Sequence, residues 1–348
     1  FYLPIMLFFV LVAVYGERKI AAFIQSRFGP MDVGPKGIFQ TLADLIKMIQ
    51  KEDIVPNSAD KPIFLLGPII VFVTIFTGFS MLPLHSNLAG ASVESGILLI
   101  MAIVSLDVLG ILMAGWGSNN KFSLYGAVRA IAQIVSFEIP LGLSVLCVVM
   151  ICQSMDLQEI TRQQGLYAED PIFLFGLKPL NIEVTHMGGI LSWNVIKNPI
   201  LLFSFFIFFI AGLAEANRAP FDLPESESEL VGGYHTEYSG FRWGIFMLSE
   251  YGIMLLIAFL AIILFFGGWN TPFVNIGSFQ LAKWTMGSYW EGFWLISKTL
   301  ILIFVQMWIR WTYPRLRVDQ LMTLSWKYLT PFGLLLVFLC GVWKLMML

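Results

Sequence analysis

The side chains best suited to chemistry crowd into residues 215–237, EANRAPFDLPESESELVGGYHTE. Glu215, Arg218, Asp222, Glu225, Glu227, Glu229, His235 and Glu237 follow directly on the apolar run 199–212, although only 13% of the 348 residues are charged. Groups of this kind bind and release protons. Asp222-Leu223-Pro224-Glu225 reads as a helix N-cap with a glutamate three residues on. If that helix continues, Asp222, Glu225 and Glu229 share one face, repel one another and titrate as a coupled set. Capping accounts for Asp222 and Glu225 but leaves Glu227, Glu229 and Glu237 without a structural reason.

Other acids lie inside apolar runs. Glu138 falls near the middle of one, with Pro140 two residues on freeing backbone groups that water or polar side chains can satisfy. Asp107 lies about two turns from the end of another, Glu250 about two turns into a third, roughly 10 Å at 1.5 Å per residue, and Glu215 closes a fourth. A lone charge at a bilayer centre costs roughly 2.5–3.5 kcal/mol on insertion scales, so these acids call for an ion pair, for reach to the interface, or for a bound proton. Lys298 is the one basic residue near the middle of an apolar run. With internal cations so scarce, the acids fit a proton relay, in which a buried carboxyl holds a proton and releases it when a neighbouring charge or water arrives.

The elements that must position these groups are membrane helices. With 57% hydrophobic residues and a mean hydropathy of +0.78, the composition is that of a polytopic membrane protein with no separate soluble domain. Apolar runs at 1–15, 63–84, 96–115, 127–151, 199–214, 243–266, 288–311 and 325–347 predict eight spans. Each must be helical to satisfy its own backbone in lipid, so the fold class is an all-α bundle in one integral domain, 1–348. The first run is short for a span and has basic residues after it, the reverse of a secretory signal, and reads as a span whose start is missing.

Lysines and arginines concentrate after spans one, three, five and seven; on the other side stand Arg162, Lys178, Lys197, Lys283 and Lys344. The positive-inside rule therefore places both termini outside and the acidic loop 215–242 inside. Within 37–51, Ile38, Phe39, Leu42, Leu45, Ile46 and Ile49 recur at three- and four-residue spacing, which predicts an amphipathic helix. It either lies in the membrane interface or closes a cavity between the spans and a partner. The long outer loop 152–198 carries no assignable role.

Several function classes drop out. A net charge of −2 without a dense basic patch does not suit nucleic acid. Cys147, Cys152 and Cys340 have no metal or cluster spacing, and His85, His186 and His235 are dispersed, so no metal site is expected. Neither type of Gly-rich phosphate loop occurs, so a redox cofactor of the system belongs to a partner.

Taken together, certain motifs resemble the quinone-chamber membrane subunit of respiratory complex I, known as NADH dehydrogenase subunit 1 or, in bacteria, the H subunit. They are Glu17-Arg18-Lys19; Gln25, Arg27, Gly29-Pro30 with Val33-Gly34-Pro35; Ala43-Asp44 with Lys47 and Lys51-Glu52; the run from Ala214 to Glu225 with Glu227 and Glu229; Glu237-Tyr238; Glu250-Tyr251; and Arg310 with Asp319-Gln320-Leu321-Met322. The resemblance implies that Arg27, Asp44, Arg218, Phe221, Asp222, Glu225 and Glu227 line a quinone tunnel, and that Glu138, Glu215, Glu229 and Glu250 begin a proton path. It further implies quinone as substrate, and flavin and iron–sulfur clusters in peripheral-arm redox subunits. Small membrane subunits, antiporter-like subunits and lipids are the other implied neighbours. The implied setting is a bacterial inner membrane with periplasmic termini, or the inner membrane of mitochondria.

Some features depart from the family pattern. Met31-Asp32 and Thr41 do so near Arg27, and loop 152–198 is longer than in many relatives. A membrane subunit of a ferredoxin- or hydrogenase-linked complex shares such an acid loop. An independent proton-coupled transporter, the alternative from another class, often shows two repeated halves with broken helices, and the sequence shows no such repeat.

Overall fold

The computed structural model describes residues 2–86, 88–90, 93–166, 168, 171, 173, 175, 185, 187–223, 231–275 and 280–347. The expected all-α bundle is what forms. Its first helix, α1 (Tyr2–Ile24), runs well past the apolar stretch that announces it. Glu17, Arg18 and Lys19 end the hydropathy signal, but they are good helix formers and the backbone continues through them. The amphipathic segment becomes a 3-10 turn (Pro35–Gly37) and α2 (Gln40–Gln50), so Ile38 and Phe39 precede the helix.

Next come α3 (Lys61–Ser80) and a two-stranded hairpin, β1 (Pro83–His85) with β2 (Leu88–Ala89). The third apolar run splits at Leu106 into α4 (Gly96–Ser105) and α5 (Asp107–Gly117), and Asp107 opens the second piece. Helix α6 (Lys121–Cys152) is longer than its apolar core because Asn120 caps it, accepting from the Phe122 N–H at 3.0 Å. The segment 152–198 contributes α7 (Leu157–Arg162) and α8 (Asn194–Lys197), followed by α9 (Pro199–Glu215). The chain ends with α10 (Gly240–Phe265), α11 (Leu281–Trp284), α12 (Ser288–Thr312), α13 (Val318–Thr323) and α14 (Thr330–Met347). A π turn, Leu324–Leu329, joins α13 to α14. Among the described residues six helical stretches are long and apolar enough to cross a membrane: α3, α4 with α5, α6, α10, α12, and α13 through α14; α9, with 17 residues, is a shorter apolar helix.

Helix α10 is the core. Its most apolar window is 94% buried, so its hydrophobic residues run around the whole circumference instead of forming a stripe. It packs on α1, α2, α3, α9 and α12. Helices α3 and α5 approach closely because Gly67 faces Ala114, where an added Cβ would lie 3.0 Å from the Ala114 nitrogen.

The C-terminal end of α10 is tied down by side chains from distant parts of the chain. Gln164 donates to Ile263 O at 2.9 Å and accepts from the Asn194 and Gly267 N–H groups, and Asn194 donates to Leu264 O at 2.8 Å. The Lys298 ammonium donates to Phe266 O and Asn270 O at 2.8 and 2.9 Å. These bonds satisfy carbonyls that a helix C-terminus leaves open, which gives α7, α8 and Lys298 a structural task.

Candidate functional site

Between α1, α2 and α10 lies a cavity of about 380 Å³, with Trp311 of α12 also on its wall. Leu7, Leu11 and Val14 of α1 and Leu248 of α10 make it apolar along its length. Glu17, Arg18, Arg27, Asp44 and Tyr251 make one region of the wall polar. Helical spacing accounts for the contrast: α1 presents Leu7, Leu11, Val14 and then Glu17 and Arg18 at steps of three and four residues, so one face changes from apolar to charged. Such a space suits a molecule with a long apolar body and a polar head.

The polar wall is held from behind. Tyr251 donates to Glu17 Oε2 at 2.5 Å, Arg310 pairs with Glu17 Oε1, and Arg218 Nη1 stands 3.5 Å from Glu17 Oε2. The Arg218 guanidinium also covers the Tyr251 ring at 4.1 Å. Burial works against the charge of Arg218, but the facing Tyr251 and Glu17 more than offset it, so it remains firmly cationic. Its Nε and Nη2 are buried without hydrogen-bond partners. Arg218 reaches this place because the backbone turns sharply after α9, with Asn217 at a φ of 48° and the Arg218 N–H bonded to Leu213 O.

On the same polar wall Arg18 donates to Asp44 Oδ2 at 2.6 Å, with Lys47 3.7 Å from Asp44 Oδ1. Partial burial opposes ionisation of Asp44, but the Arg18 hydrogen bond and charge prevail and hold its carboxyl below the usual range.

Of the seven residues implied for a tunnel, Arg27 and Asp44 line this cavity. Arg218 touches its end through Glu17 and Tyr251. Phe221 and Asp222 are buried farther back: Phe221 packs against Phe137 with ring centroids 5.2 Å apart, and Asp222 pairs with Arg315 at 3.0 Å. Glu225, Glu227 and Glu229 lie outside the described residues, as does the helix expected to start at Asp222. Glu17, Tyr251 and Arg310 were not singled out as site residues. Glu17 directly after an apolar run and Tyr251 beside Glu250 were the available signals, but the pairing spans 234 and 293 positions and no local spacing reports it.

The buried acids gather around two small voids. Glu138 accepts a short hydrogen bond from Ser105, and both line a void of about 20 Å³ together with Glu215. That is room for one water. A second void of about 10 Å³ is lined by Asp107, Glu250, Asn217 and Tyr234. Glu250 Oε1 lies 3.4 Å from both the Tyr234 hydroxyl and His235 Nε2. Glu215 Oε2 and Asp107 Oδ1 are buried without a hydrogen-bond partner. Gln133 ties the voids' walls together, donating to Ala214 O at 2.8 Å and to Asn217 Oδ1 at 3.1 Å. The π turn sits against the same stretch of α6, where Trp326 Nε1 reaches Ser136 Oγ at 3.3 Å.

A family profile described as NADH dehydrogenase matches residues 1–341. An NADH-quinone oxidoreductase H subunit of Cytophaga hutchinsonii, numbered 2 in that organism, is 54% identical, with 100% of this chain and 98% of the relative aligned. The chain belongs to the H-subunit family of NADH-quinone oxidoreductase. The same similarity extends to the H subunit of Chlorobaculum parvum, 49% identical over 97% of this chain and 89% of that protein. The H subunit of a Geobacillus strain is 42% identical over 97% and 90%. Family membership covers the cavity and both voids, since the profile runs from α1 almost to the end of α14.

Proposed function

We propose that this chain acts as the membrane subunit of an NADH-quinone oxidoreductase, holding quinone in the cavity between α1, α2 and α10 and passing the electrical consequence of its reduction to the buried acids. The observation that carries this reading is the junction itself. An apolar cavity of about 380 Å³ includes Glu17 and Tyr251 in its wall, and Arg218, stacked on Tyr251, lies one residue from Asn217 in the wall of the Asp107–Glu250 void.

The quinone tail would lie along Leu7, Leu11 and Val14, and the ring would pass the polar wall toward electrons delivered by a partner. Reduction to quinol takes two electrons and two protons. The charge imbalance created before the protons arrive would act on the acids of 222–229, then on Glu215, Glu250 and Glu138 across the two voids. Flavin and iron–sulfur clusters belong, in this reading, to peripheral-arm subunits, and the relay would continue into small membrane and antiporter-like subunits. The chain itself would cross a bacterial inner membrane eight times, with α1 and α9 as the additional spans and both termini outside. The exposed apolar stripe of α2, Leu42, Ile46 and Ile49, suits burial in the membrane interface.

Glu225→Gln and Glu227→Gln in the assembled complex test the coupling. Quinone-coupled NADH oxidation is expected to fall strongly while NADH oxidation by an acceptor acting at the flavin survives. Loss of both activities together would overturn the assignment and leave an assembly role.

A further inference from the structure

A second cavity, of about 420 Å³, opens beside the first, between α2 and the start of α10. Its wall carries three cations, Arg18, Lys47 and Lys51, against one carboxylate, Asp44. Asp44 is already engaged by Arg18 at 2.6 Å and by Lys47 at 3.7 Å. A surplus of two positive charges is left around an open concave space. Of the neighbouring acids, Glu52 is exposed and outside the wall, and Arg242 takes the Asp53 carboxylate at 3.0 Å.

The other walls are Tyr238, Ser239, Gly240 and Trp243. Tyr238 spends its hydroxyl on Phe64 O, and Ser239 Oγ on the Ile54 N–H and Glu52 O, so neither brings a competing charge. Trp243 supplies an apolar, interfacial side. The first turn of α10 opens into this wall with no side-chain cap from Ser239, which adds to a case carried by the cavity and its lysines.

We infer that this cavity is a binding site for a phosphate-bearing group, held by Lys47, Lys51 and Arg18 at the mouth of the apolar cavity. Basic pockets on the inner face of a membrane hold anionic lipid headgroups in this way, and free phosphate offers the same chemistry. The site goes beyond the quinone reading, and its occupancy is read without any turnover. Arg18, Asp44, Met48 and Trp243 wall both cavities, so a bound phosphate would draw Arg18 away from Asp44 and alter the partition between them.

The test uses the intact complex, exchanged into phosphatidylcholine with graded phosphatidylglycerol and examined by native mass spectrometry, with a parallel arm in inorganic phosphate. The Lys47→Gln/Lys51→Gln variant is expected to retain one phosphatidylglycerol fewer and to need on the order of thirtyfold more of it for equal occupancy, at about fivefold per lysine. Lys47→Arg/Lys51→Arg should restore retention, and Lys36→Gln/Lys121→Gln, which removes two exposed charges elsewhere, should leave it unchanged. Displacement of the lipid by phosphate, or phosphate binding without lipid, would identify the free anion as the ligand and keep the site. Equal retention by the parent and the double glutamine variant in both arms would overturn it.

Discussion

Glu17 is a buried carboxylate facing two arginines, Arg218 and Arg310, and a tyrosine hydroxyl. Breaking such an arrangement is more damaging than never having built it, because the remaining charges stay desolvated; the usual loss is about 3–5 kcal/mol. Glu17→Gln is therefore expected to lower the thermal stability of the chain within its complex by about that amount, and a stability within about 1 kcal/mol of the parent would contradict the pairing. At Glu138 the readout is different. Ser105 donates to Glu138, and the one-water void beside it is shared with Glu215, so Glu138→Gln preserves shape and hydrogen bonding but removes the exchangeable carboxyl proton. Slower turnover or fewer protons moved per electron is the expected result; unchanged values of both would remove Glu138 from the relay.

Among the elements, α2 and α10 set the mouth of the cavity, and the Arg18–Asp44 pair links α1 to α2 there. Asp44 is held below the ordinary carboxylate value, so its contribution is complete above about pH 4 and fades only as pH falls through the lower folded value. The ratio of quinone KM between Asp44→Asn and the parent should hence be flat from about pH 5.5 to 8.5. A ratio that converges on one toward the acid end would mean that Asp44 titrates in that window. Helices α3 and α5 depend on Gly67: its added Cβ meets Ala114, whereas at Gly142 an added Cβ meets nothing within 4 Å. Gly67→Val should destabilise by about 1–3 kcal/mol, measured by thermal unfolding, while Gly142→Ala should be neutral or slightly stabilising.

Hydropathy made the long helices readable because lipid obliges each apolar run to be helical. It could not show that α1 continues through Glu17, Arg18 and Lys19, since charge ends a hydropathy signal without ending a helix. The break at Leu106 was equally silent, because α4 and α5 read as one apolar run. In the site, spacing and resemblance pointed to Glu138, Glu215 and Glu250, yet it is helix packing that sets Asp107 beside Glu250 and brings Arg310 to Glu17.

At the scale of the molecule, one buried helix, α10, carries both halves of the proposed activity. Its Leu248 and Tyr251 face the cavity and its Ser249 and Glu250 face the second void, so adjacent residues serve binding and charge transfer. The exposed apolar residues of α12 and α14, such as Ile301 and Phe338, leave wide surfaces for lipid or neighbouring subunits. Everything proposed for coupling rests on quinone occupying the α1–α2–α10 cavity. The direct measurement is quinone affinity in the intact complex carrying Val14→Trp, which fills the apolar wall, alongside photolabelling by a quinone analogue. The expected result is a KM for quinone raised about tenfold or more, equivalent to about 1.4 kcal/mol, with flavin-site NADH oxidation unchanged and parent labelling on α1 and α10 that excess quinone suppresses. An unchanged KM, with labelling confined to α12 and α14, would contradict it.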